Sequence, residues 1–156
     1  MLPLRATRER DRIDSLLKLL EETIDKVDDS AQHILANHLV LAASGYIETS
    51  TLAILSEYAS RHGDVRVIRY IEKTISRENS LSCEKIRNIL EKFDKDWWGA
   101  LETRTPIDAT SAVDSLKTLR DQIAHGKMNG TGFTTVQNYY VRSKRFVEDF
   151  AAVVLA

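Results

Sequence analysis

Residues 31–61 constrain the fold more than any other part of the chain. Ile34, Leu35, Leu39, Leu41, Ala42, Tyr46, Ile47, Leu52, Ile54, Leu55 and Tyr58 recur at helical spacing, but on several sides rather than in one stripe. A helix that is apolar nearly all round must be wrapped by other elements, so this stretch, with Ser30 as its cap, is expected to be the central helix.

The rest of the chain supplies the wrapping. Thr7 is placed to cap a first helix reaching about residue 29, with Ile13, Leu16, Leu17, Leu20, Ile24 and Val27 on one face. His62-Gly63-Asp64 reads as a stop and a new cap, and Ile68, Ile71 and Ile75 mark a short third helix. Asn79-Ser80 breaks it. Ser82 opens a fourth, whose stripe is Ile86, Ile89, Leu90, Phe93 and Trp97. Thr105-Pro106-Ile107-Asp108 has the form of a helix start, with Thr at the cap and Pro at the first helical position. That fifth helix carries Val113, Leu116, Leu119 and Ile123 inward and stops at Gly126, before a turn at 127–132. Thr134 or Thr135 opens the last helix, with Val136, Tyr139, Tyr140, Val147, Phe150 and Val154 as its stripe. No segment alternates polar and apolar residues long enough to argue for a sheet. The expectation is an all-α bundle of five or six helices, a single domain over residues 1–156.

A formal net charge of -1 on 156 residues means that the whole-molecule field does not draw nucleic acid strongly. Basic residues are nevertheless clustered. Lys117, Arg120, Lys127, Arg142, Lys144 and Arg145 stand against Asp121 alone, and Arg61, Arg66, Arg69, Lys73 and Arg77 against Asp64 and Glu72. Either run is able to meet a polyanion, although a solvated helix face is the commoner use of such a run. Cys83 is the single cysteine, which excludes an intramolecular disulfide and gives no metal cluster. A reducing, cytoplasmic setting fits. The start lacks the apolar core of a signal peptide, and no apolar run approaches the roughly 20 residues that span a bilayer, so no membrane is expected.

Chemistry is best sought in Arg120-Asp121-Gln122-Ile123-Ala124-His125. A guanidinium fork fits a phosphate, and an imidazole exchanges a proton near neutral pH. With 13 Arg and four His, such a pairing arises about once by chance, so its weight comes from its surroundings. Asp121 and His125, four apart, share a helix face, where the carboxylate can fix the imidazole tautomer. Arg120 stands about 140° around the helix from His125, so a straight helix does not aim both at one atom. Unwinding of the last turn or a two-fold partner would close that gap. The alternative is structural: Arg120 snorkels from the core edge and His125 caps the helix. His33 and His38 are five apart with no companion Glu, and so do not read as a zinc site. Trp98, off the Phe93–Trp97 stripe, is the better tryptophan for an interface or an RNA contact.

The segment Leu119-Arg120-Asp121-Gln122-Ile123-Ala124-His125-Gly126, followed by a glycine-containing turn and a final aromatic helix, resembles the Arg-x4-His signature of the HEPN superfamily. Leu39-Val40-Leu41-Ala42-Ala43-Ser44-Gly45-Tyr46-Ile47-Glu48 looks like the long early helix of its RiboL-PSP type. The resemblance implies a metal-independent endoribonuclease with no cofactor, working as a homodimer in which two such segments face each other. It implies a toxin or phage-defence effector, regulated by an antitoxin or another protein. Arg120 and His125 would be catalytic and Asp121 supporting, with Glu48 a helix anchor or a partner of Arg120; Lys117, Lys127, Arg142, Lys144 and Arg145 would bind RNA. The other reading is a catalytically silent HEPN module that binds a nucleotide or a protein. Lys127 stands where toxins modified by a nucleotidyltransferase antitoxin carry Tyr, which speaks against that kind of pairing.

Overall fold

The expected central helix is the axis of the bundle. In the computed structural model, which describes residues 1–127 and 129–156, α2 (Asp29–His62) buries Leu39, Val40, Tyr46, Ile47, Ile54 and Leu55 against its neighbours. Met128, within the turn expected at 127–132, lies outside the described residues. α1 (Leu4–Thr23), α6 (Ile107–Ala124) and α7 (Phe133–Val154) wrap the axis, and α3 (Val65–Ile75) lies along its C-terminal half. By length and apolarity alone α2 would pass for a membrane-crossing helix, contrary to the expectation that no run approaches that size. Most of its apolar stretch is buried inside the bundle.

Among the described residues the α-helices number seven rather than five or six. The fourth expected helix is divided into α4 (Cys83–Glu91) and α5 (Trp97–Arg104). Asp94 divides it: its carboxylate accepts the backbone N–H of Asp96 at 2.8 Å, a local bond that competes with the helical ladder. The apolar stripe survives the break because Phe93 and Trp97 still stack, 6.0 Å between centroids, and Tyr58 meets Trp97 edge-on. Trp98 is buried, not available for a surface contact.

Several caps also shift. α1 begins at Leu4, and the Thr7 hydroxyl donates back to the Pro3 carbonyl instead of capping. After a 3-10 turn at Ile24–Lys26, Asp28 rather than Ser30 caps α2, accepting the Ala31 N–H at 2.8 Å. Asp64 and Ser82 cap α3 and α4 as expected. Thr105 is buried without a capping bond, so α6 starts from Pro106, and α7 starts at Phe133, one residue before the expected threonines. Among the described residues there is no strand. α6 and α7 run antiparallel, with Arg142 of α7 meeting Asp108 in the first turn of α6 at 3.5 Å.

Candidate functional site

The end of α6 is closed by backbone geometry. Gly126 adopts φ 67°, a left-handed conformation that glycine enters without a Cβ clash. Its N–H reaches the Ile123 carbonyl at 3.1 Å and that of Lys127 reaches Gln122 at 2.8 Å, the paired bonds of a Schellman cap. The His125 N–H still bonds Asp121 O at 3.0 Å, so the last turn stays wound through His125. Unwinding therefore does not bring Arg120 and His125 together within one chain. His125 is exposed, and among the described residues its ring meets no hydrogen-bond partner; the Arg120 side chain is 30% exposed.

Asp121 is occupied, but not by His125. Its carboxylate receives Lys117 Nζ at 2.6 Å and the Ser80 hydroxyl, with Arg120 at 3.8 Å. The bond from Lys117, and after it the one from Ser80, hold the Asp121 carboxyl below the usual carboxylate range. Glu48, on α2, takes the Ser80 backbone N–H at 2.6 Å. It anchors a loop rather than pairing with Arg120. Ser80 is thus fastened from two sides, by N–H to α2 and by hydroxyl to α6.

Ser80 is also the one described non-glycine residue with positive φ, at 51°. Such a conformation costs on the order of 1–3 kcal/mol and persists where surroundings over-determine it; the two carboxylates do so here. In the sequence Asn79-Ser80 reads only as a helix break. Nothing local signals the bridge, because its partners lie 32 and 41 residues away.

The cations expected to bind RNA separate into two groups. Lys117 pairs with Asp121 beside the site, and Lys127 is exposed just past the cap. Arg142, Lys144 and Arg145 are elsewhere: Arg142 sits opposite the start of α6, about 25 Å along that helix from His125 at 1.5 Å per residue. Lys144 bonds Asp14 of α1 at 2.9 Å and lies 5.1 Å from the centre of the Tyr140 ring. Arg145 holds the buried Asp149 at 2.7 Å, which also receives Arg104 at 3.0 Å. Arg142 and Lys144 tie α7 to α6 and α1, Arg145 pairs within α7 with the Asp149 that Arg104 of α5 also reaches, and none of the three surrounds His125.

Helical spacing places Asp114, Thr118, Asp121 and His125 on one face of α6. A groove of about 320 Å³ lies beside the middle of α6, lined by Asp114, Ser115, Thr118, Leu119, Thr131 and Tyr139; Arg120, Asp121 and His125 are not among its lining residues. The end of α6 thus carries an exposed imidazole and a partly exposed guanidinium, two groups able to act on a phosphate ester, on different sides of the helix.

The sequence model of the RiboL-PSP-HEPN family matches residues 7–156. The chain belongs to this family. No curated protein and no solved structure matches it. The match agrees with the resemblance read from the sequence and with the all-α architecture. In this HEPN domain the Arg-x4-His segment forms the last turn of α6, and the Glu of the long early helix holds the loop that braces that turn.

Proposed function

We propose that this HEPN domain is a metal-independent endoribonuclease whose working site is composite, built from two copies of the Arg120–His125 segment across a two-fold interface. The observation that carries the reading is the intact last turn of α6. It leaves Arg120 and His125 accessible but pointing about 140° apart, so one chain does not aim both at one phosphate. A second copy supplies the missing group from the opposite side.

The reaction is in-line attack of a ribose 2′-oxygen on the adjacent phosphorus, with departure of the 5′-oxygen and formation of a 2′,3′-cyclic phosphate. His125 takes the 2′-hydroxyl proton or returns one to the leaving oxygen, and Arg120 meets the charge that builds on the phosphoryl oxygens. Asp121, held by Lys117 and Ser80, positions the turn rather than the imidazole. Cutting RNA in this way suits a toxin or phage-defence effector acting in the cytoplasm under the control of a protein antagonist.

The test is cleavage of a structured RNA in EDTA by wild type and by His125→Ala, with analysis of the product ends. Wild type is expected to leave cyclic or 3′-phosphate ends, and the variant to be slower by about 100-fold or more. Mixing His125→Ala with Arg120→Ala should restore part of the activity if the site is composite. Intact RNA under every condition would sink the nuclease reading and leave a HEPN module that binds a nucleotide or a protein.

A further inference from the structure

The second basic run lies on α3 and has a different character from the first. Arg66, Arg69, Lys73 and Arg77 follow one another at spacings of three, four and four, which lines them up along one side of the helix and the turn after it. All four are exposed. Arg66 has a loose contact with Asp64 at 3.9 Å; among the described residues Arg69, Lys73 and Arg77 meet no carboxylate, and Glu72, the only carboxylate within α3, pairs with none of the four. Tyr70 stands next to the row, 72% exposed. Beside it is a groove of about 530 Å³, whose apolar lining includes Val67, Ile71, Ile89 and Phe93. A row of like charges with an exposed aromatic ring and a slot beside it has the components that hold a single strand of nucleic acid: phosphates on the cations, a base on the ring.

The row also leads toward the candidate site. Arg77 is three residues before Ser80, a reach of about 10 Å at most, and Ser80 is bonded to Asp121 in the last turns of α6. From Arg66 to Arg77 the row runs about 16 Å. That is the length of about five stacked nucleotides at 3.4 Å each.

We propose that α3 is a track for single-stranded RNA, with Arg66, Arg69, Lys73 and Arg77 meeting phosphates along the strand and Tyr70 stacking a base beside the α3–α4 groove. The track delivers the strand to the Arg120–His125 end of α6. That destination rests on the ribonuclease reading; the binding does not.

The experiment is titration of a labelled single-stranded oligoribonucleotide with His125→Ala protein, which leaves RNA intact, over a range of salt concentrations. Against that background Arg69→Gln/Lys73→Gln should lower the slope of log affinity on log salt by about 1.4, since each single-strand phosphate contact contributes about 0.7. At about 0.1 M salt this is a loss of roughly 25-fold. Tyr70→Ala should weaken binding by about 5- to 100-fold with the slope unchanged. Arg142→Gln, far from the track, should change neither. Circular dichroism and thermal melts confirm that each variant is folded.

Folded α3 variants with parental affinity and slope overturn the proposal. So does a wild-type dimer that the α3 variants dissolve while RNA affinity holds, which makes the face a contact between copies. If α3-dependent binding is found but wild type cuts nothing, the nuclease reading fails and the track stands. If wild type cuts and the α3 variants bind and cut as before, the track fails and the nuclease reading stands.

Discussion

α7 and α3 both present rows of cations, and the structure uses them in opposite ways. On α7 each cation has a carboxylate from another part of the fold or from a buried position: Arg142 has Asp108, Lys144 has Asp14, and Arg145 shares Asp149 with Arg104. These pairs fasten α7 to α6, α1 and α5. On α3 the cations stand in water beside one another, and the helix is held by Ile71 and Ile75 against the core. A count of Lys and Arg along the chain does not separate the two cases. The location of the acidic partners does, because a paired cation is committed to the fold while an unpaired row keeps its field for a ligand.

The comparison can be broken first at Asp149. This carboxylate is 3% exposed and receives two guanidiniums, so Asp149→Ala should lower stability by about 2 kcal/mol, a figure reduced because both arginines are more than half exposed. For a chain of this size that is a fall of about 4–8 °C in Tm, with RNA affinity unaltered. An unchanged melt would show that the α7 pairs do not hold the helix. Tyr140→Phe removes the hydroxyl that donates to Asp14 at 2.7 Å while leaving Lys144 in place. About 1 kcal/mol should be lost, read by denaturant titration; a loss near zero would mean that Asp14 is satisfied by Lys144 alone.

Asp121 lies between the two extremes, paired yet partly exposed. Its carboxyl is held below the ordinary value of about 3.9, so the stability it contributes is fully present above that pH and is lost as pH falls through the lower, folded value. The stability difference between wild type and Asp121→Asn should be constant from neutral pH to about 5 and should shrink below about 4. A difference that already fades near neutral pH would refute the Lys117–Asp121–Ser80 bracing. The smallest effect has the reverse sign. Arg69→Gln/Lys73→Gln relieves a like-charge pair four residues apart on α3 and should raise stability by up to about 0.5 kcal/mol. Destabilisation there would mean that these cations are structural, as on α7.

Much of the architecture is readable along the chain because it follows from local periodicity. The all-round apolar pattern of residues 31–61 requires a buried axis, and Gly126 after an amphipathic run requires a left-handed cap; both are present. The Arg120–His125 segment and the family were readable for the same reason, since their residues are contiguous. Boundaries were less so. Asp28 and Ser30 are both good capping residues, and the chain does not say which will be used; the Asp94 carboxylate splits a stripe that periodicity alone leaves continuous.

Tertiary structure decided the partners. Ser80 keeps a strained backbone because Glu48 and Asp121 reach it from distant helices, and Lys144 is neutralised by Asp14, 130 residues away. Such pairs leave no periodic trace, since a charge four residues along a helix and one across the bundle look alike in the sequence. Their effects differ: the cross-bundle carboxylates decided which basic residues fasten helices together and which remain free for a ligand.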